Sequence, residues 1–151
     1  MIGIEELEKR LEKMLDIFKI RTRVLGCLII DEDGFILKSI KESILEIEKF
    51  ELKIIQVFSK IEELTKIYPK DVNYHDQNLV VTYGEKDDYS KKGLLIILRA
   101  INNNLNLMVI TPLTYVLKPL FDEINIFINE LSVFFLNSEN EKFVNHLYKL
   151  V

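Results

Sequence analysis

Two apolar runs meet at a four-residue acidic turn in VLGCLIIDEDGFILKSI, residues 24–40, and this pattern limits the possible folds more than any other. The run VLGCLII, 24–30, is too short for a helix of its own and rich in β-branched side chains. It is read as a strand buried on both faces. FILKSI, 35–40, is the returning strand. Asp33-Gly34 between such runs signals a hairpin, because Gly accepts φ > 0 and Asp tolerates it. Asp31, Glu32 and Asp33 also raise the question of a metal loop. A calcium loop needs further oxygen ligands and a longer approach to its glycine. Here apolar residues follow Gly34 at once, so a turn is expected and a metal site is not.

Helical periodicity flanks the hairpin. Ile4, Leu7, Leu11, Met14 or Leu15, and Phe18 recur at three- and four-residue steps over 4–19, as an amphipathic helix requires. Glu5 with Lys9 and Glu6 with Arg10 add favourable i,i+4 pairs. Residues 44–68 read as a long helix ended by Pro69. One of its stripes runs through Ile47, Phe50, Ile54, Val57, Ile61, Leu64 and Tyr68, and an offset one through Leu52, Ile55, Phe58 and Ile67. So wide an apolar sector implies two contacts, one of them the sheet and the second open to another chain.

Three further strands are expected at 79–84, 93–101 and 105–111. The polar EKDDYSKK, 85–92, joins the first two, and NNN, 102–104, makes the second turn because Asn tolerates left-handed conformations. Short connections between consecutive strands imply an antiparallel meander. Residues 113–136 read as a helix, capped by Thr114 and bent by Pro119, or else starting near Pro119. Ser138 with Glu141 forms a capping-box pattern, opening a last helix with Phe143, Leu147 and Leu150.

The chemistry of the chain is sparse. Of 151 residues, 48% are hydrophobic and 29% charged, with a formal net charge of −4 and both signs interspersed. That composition supports one globular core and gives no basic footprint for nucleic acid. No apolar run approaches a bilayer span, and MIGIEELEKR lacks a signal core. The single cysteine, Cys27, sits in an apolar run and is expected to pack rather than react. His75 and His146 stand far apart, and no phosphate loop, dinucleotide fingerprint or nucleophile elbow is present. Arg21, Arg23 and Arg99 are the residues suited to an anion. The expectation is a soluble cytoplasmic protein, not an enzyme, with no cofactor and no metal.

VLGCLIIDEDGFILKS, 24–39, resembles the opening hairpin of roadblock domains, in which an apolar strand containing Gly leads into a polar turn ending in Asp-Gly. NLVVTYGEKDDYSKKGLLIILRAINNNLNLMVITP resembles that family's later strands, and PLFDEINIFINEL its closing helix. The resemblance covers about 4–136. It implies an α/β (α+β) fold, α-β-β-α-β-β-β-α, with a five-stranded, mostly antiparallel sheet between helices. Residues 1–136 would form the roadblock-like domain and 137–151 a C-terminal helical extension packed on or near it. The longin fold would accommodate the terminal helix but not the helix at 4–19.

The resemblance also implies a homodimer, or a heterodimer with a related roadblock or longin domain, serving as a platform for a Ras-like small GTPase. The exposed strand LVVTYG and the long helix agree with such pairing. The expected dimer interface is Ile54, Ile55, Phe58, Ile61, Val80, Val81 and Thr82. An alternative is a light-chain-type structural subunit docking through Phe143, Leu147 and Leu150, although the plainer reading of that helix is that it caps its own sheet. A small-ligand sensor would need small or polar residues facing inward, and the buried positions here are large and apolar.

Overall fold

The structure, a computed structural model, describes residues 3–42, 79–83, 93–112, 116–137 and 140–149. The expected long helix at 44–68, the connection 85–92, the caps Thr114 and Ser138, and His75 lie outside the described residues. The elements are α1 (Ile4–Thr22), β1 (Gly26–Asp31), β2 (Ile36–Lys41), β3 (Leu79–Tyr83), β4 (Leu94–Ala100), β5 (Leu105–Pro112), α2 (Leu117–Asn137) and α3 (Asn140–Lys149).

The strands form one sheet in the order β2-β1-β5-β4-β3. Every neighbouring pair is antiparallel. β1 and β5 are central, with Cys27 opposite Val109 and Ile29 opposite Leu107. These four side chains share a cluster with Leu11, Leu15 and Phe18 of α1, Ile124, Phe127 and Leu131 of α2, and Phe143 and Leu147 of α3. One sheet face is therefore covered by all three described helices. The alternate set, Leu28, Ile30, Ile96, Leu98, Met108 and Ile110, is buried as well. Both faces of the central strands are dry, which explains their unbroken apolar runs.

Local chemistry sets the ends of these elements. α1 carries Glu5 and Glu6 in its first turn and Lys19 and Arg21 in its last, matching the helix dipole. Arg23 ends it in a left-handed conformation, φ 60°, with its N–H donating to Lys19 O. α1 and α2 run antiparallel, since Phe18 stacks on Phe127 at 4.4 Å while Arg21 reaches back to Glu123. Pro119 does not bend α2. The helix starts two residues earlier, so the missing N–H falls among first-turn groups that have no intrahelical partner anyway.

Both turns form where expected, the hairpin by the expected positive-φ glycine and the asparagine turn by a different device. Gly34 has φ 93°, and Arg23 is the one non-glycine residue with positive φ among the described residues. Asp33 and the asparagines therefore stay on the ordinary side of φ. Asn102 instead shapes its turn with its side chain, Oδ1 accepting from the N–H groups of Asn104 and Leu105 at 2.8 and 2.9 Å. The hairpin also carries a bulge. Ile29 faces Lys38 and Ile30 faces Ile36, so Leu37 is the extra residue, and it is buried in the helix-side core.

Phe127→Ala should destabilise the protein by about 3–5 kcal/mol, because it empties a ring-sized volume under α1. Urea unfolding followed by circular dichroism measures this. A loss under about 1 kcal/mol would mean that the Phe18–Phe127 stack is not part of the cooperative core.

Candidate functional site

The two edges of the sheet differ in what covers them. Beside β2, Lys38 is tied to α1 through Glu8 at 2.8 Å and Glu12 at 2.5 Å. β3 pairs with β4 from Leu79↔Leu98 to Tyr83↔Leu94 and ends the sheet on the other side. No described strand pairs with its outer edge. Val80 is 39% exposed there, and Val81 and Thr82 belong to the same strand, opposite Ile96 and Leu95. The structure thus brings three of the expected interface residues to one open edge. Ile54, Ile55, Phe58 and Ile61 lie outside the described residues.

Of the two readings of the terminal helix, the docking one is corrected and the cap on its own sheet stands. Phe143 and Leu147 are fully buried inside their own chain, Phe143 against the rings of Phe134 and Phe135. Their side chains complete the core and are not presented to a partner. The amphipathic spacing was visible in the sequence, but periodicity says only that a face is apolar, not whose core it enters. Leu150 lies outside the described residues.

Two polar ties hold α3, and sequence reading missed both. Asp31 is buried at the end of β1. Its Oδ1 accepts from the N–H groups of Asp33 and Phe35 at 2.9 and 2.8 Å, and its Oδ2 accepts from the Tyr148 hydroxyl. The first acid of DEDG is therefore the organiser of the turn, and it reaches across to the last helix. Its bonds to backbone groups two and four residues on follow the side-chain turn geometry of Asp, which D-x-D-G could have signalled. Nothing in the sequence signalled Tyr148. Burial, then the Asp31 bond and the nearby Glu32 and Asp33, push its phenol well above the ordinary value.

The second tie joins His146 Nε2 to Glu8 Oε2 at 2.9 Å. Hydrogen bonds from Lys38 and then His146 hold the Glu8 carboxyl below its usual range, against the opposing pull of burial. Burial works against the Lys38 ammonium, but its bonds to Glu12 and Glu8 prevail and raise its pKa. Between α3 and the two turns opens a pocket of about 320 Å³ lined by Glu32, Asn102, Asn104, Leu105, Val144, Asn145 and Tyr148.

The described residues offer little for catalysis. Cys27 is buried, its thiol pushed up to about 12 by desolvation, and its Sγ donates to Leu15 O at 3.4 Å. A thiol so raised is protonated at neutral pH and is not a nucleophile. Among the described residues no three His, Cys, Asp or Glu side chains cluster to hold a metal ion, and no helix is long and apolar enough to cross a membrane. Arg99 donates to Asn125 Oδ1 at 2.9 Å, and Arg21 pairs with Glu123 at 3.4 Å.

No protein-family model matches the chain, and no curated protein matches it in sequence. Solved structures match it in shape. MglB with a tetrameric arrangement superposes with TM-score 0.67 at 15% identity, over 89% of this chain and 92% of that one. The gliding protein MglB from Thermus thermophilus gives 0.66 at 14% identity, over 89% and 93%. A roadblock/LC7 domain from Streptomyces avermitilis gives 0.61 at 11% identity, over 82% and 96%. The chain has a roadblock-type fold.

Glu8→Gln should cost about 1–3 kcal/mol at neutral pH, as loss of charge-assisted hydrogen bonds does. The folded carboxyl titrates below 4.5, so its contribution is complete above that value and fades as pH falls through the folded pKa. The gap in melting temperature between wild type and variant should close below about pH 4.5; a gap that persists would show that packing, not charge, is at work. Tyr148→Phe should cost about 0.5–1.5 kcal/mol. Combined with Asp31→Ala it should cost less than the sum of the two, because they share one bond. Full additivity in urea melts would exclude that coupling.

Proposed function

We propose that this chain is a non-enzymatic, dimeric roadblock-type scaffold that binds and regulates a Ras-like small GTPase in the cytoplasm, without a cofactor. The observation that carries the reading is the roadblock-type fold over about nine-tenths of the chain. Residues 1–136 serve as the platform and 137–151 as an extension seated on it. Regulation of this kind orders the partner's own residues, so the scaffold itself needs no catalytic group.

The open edge of β3 supports self-association. An exposed apolar strand edge is a liability unless it is paired, and a two-fold axis beside β3 would continue the sheet into a second copy or a related domain. The tetrameric arrangement named for one structural neighbour is in keeping with a protein that meets copies of itself. The structural-subunit reading loses its docking element, since Phe143 and Leu147 are taken up by the core.

Light scattering on the eluting protein should give at least a dimer at micromolar concentration. Val80→Lys places a charge on the open edge and should raise the dissociation constant of that contact at least about tenfold without changing the circular dichroism spectrum. Co-elution with a Ras-like GTPase from the same cell, loaded with GDP or a GTP analogue, should occur in one nucleotide state. Absence of binding to any such GTPase in either state would overturn the regulatory reading.

A further inference from the structure

α1 and α2 cover the same sheet face, so their outward sides form one outer surface of the molecule. Along α2 the exposed residues Asp122, Ile126, Asn129, Val133 and Leu136 follow strict alternating steps of four and three. That is the spacing of a helix-packing seam. Leu136 is 81% exposed, and Ile126 and Val133 are more than half exposed. Along α1 the exposed residues Arg10, Lys13, Ile17 and Ile20 repeat the same steps, with Ile20 at 66%. Two seams with large aliphatic side chains standing in water are more than scattered surface hydrophobics.

Charge selects the occupant. The exposed side of α1 around its seam carries Lys9, Arg10 and Lys13 against Glu6 and Asp16, with Glu6 paired to Arg10 at 3.5 Å, and keeps a small excess of positive charge. The seam of α2 and its flank carry Asp122 and Glu130, with Lys118 only at the start of the helix. A second α2 laid on the first would bring no basic excess to Asp122 and Glu130, whereas an α1 does. Because the two helices are antiparallel neighbours, a two-fold axis between them places each α1 on its partner's α2 at once. Two helices about 30 Å long and about 20 Å across together cover about 600 Å² per protomer, at the lower end of stable interfaces.

We propose that the outward faces of α1 and α2 form a second self-association surface, on which α1 of each protomer packs against α2 of another copy of this chain. The surface lies on the helical layer, not at the β3 edge, and does not depend on that edge being paired. With both contacts made and their two-fold axes perpendicular the protein is a tetramer; with this one alone it is a dimer.

Sedimentation velocity at about 50 μM, a concentration at which a micromolar contact is formed, tests this on the full chain. Leu136→Glu, at an exposed position, should halve the oligomeric mass with an unchanged circular dichroism spectrum. Lys13→Glu should weaken the same contact about tenfold, and Lys13→Glu with Glu130→Lys should restore it, because the pair is reversed across the interface. Val80→Lys should leave this contact intact, so failure of the edge reading and failure of this one are distinguishable. A mass unaffected by Leu136→Glu would overturn the proposal. A mass that falls with Leu136→Glu but ignores both charge reversals would overturn the α1-on-α2 pairing and favour α2 on α2 or another partner.

Discussion

Burial of both faces of β1 and β5 is the constraint from which the rest of the architecture follows. Gly26 to Ile30 and Leu107 to Ile110 are all buried, so no side of the sheet centre can face water. A strand of this kind has to sit between two layers. On the helix side the cover is made by Leu11, Leu15 and Phe18 from α1 and Ile124, Phe127 and Leu131 from α2. Cys27 belongs to the same surface, and its thiol is silent because it is one of the packing groups.

Within that frame α3 is a structural member. Phe143 and Leu147 fill the core from α3, and the polar residues between and after them make the two ties to Glu8 and Asp31. The consequence runs back to the hairpin. One carboxylate, Asp31, closes the β1–β2 turn and anchors the terminal helix, so the opening motif of the sheet and the last described helix are coupled through a single side chain.

What remains outward-facing is what the proposed contacts rest on. The closed side of the sheet has β2, bound to α1 by the Lys38 ion pairs. On the other side no described strand pairs with the outer edge of β3, and the helical layer has the aliphatic seams of α1 and α2.

Element order and the hairpin were legible in the chain without coordinates. Apolar runs bounded by DEDG and NNN, and a stripe of period three to four over the first helix, are local signals, read residue by residue. The packing of Cys27 was legible too, since an apolar run on both sides leaves a thiol nowhere else to go. Other features were decided only by the folded arrangement, either unread in the sequence or left open by it. Asn102 shapes its turn by side-chain hydrogen bonds, not by a left-handed backbone. Pro119 is harmless because helix α2 begins just before it. Phe143 and Leu147 turn inward while Ile126, Val133 and Leu136 stay in water. Periodicity gives the face of a helix and composition gives the place of a turn, but the groups that each side chain meets are set by the rest of the fold. The bond between Asp31 and Tyr148 joins residues from opposite ends of the chain, and no local pattern announces it.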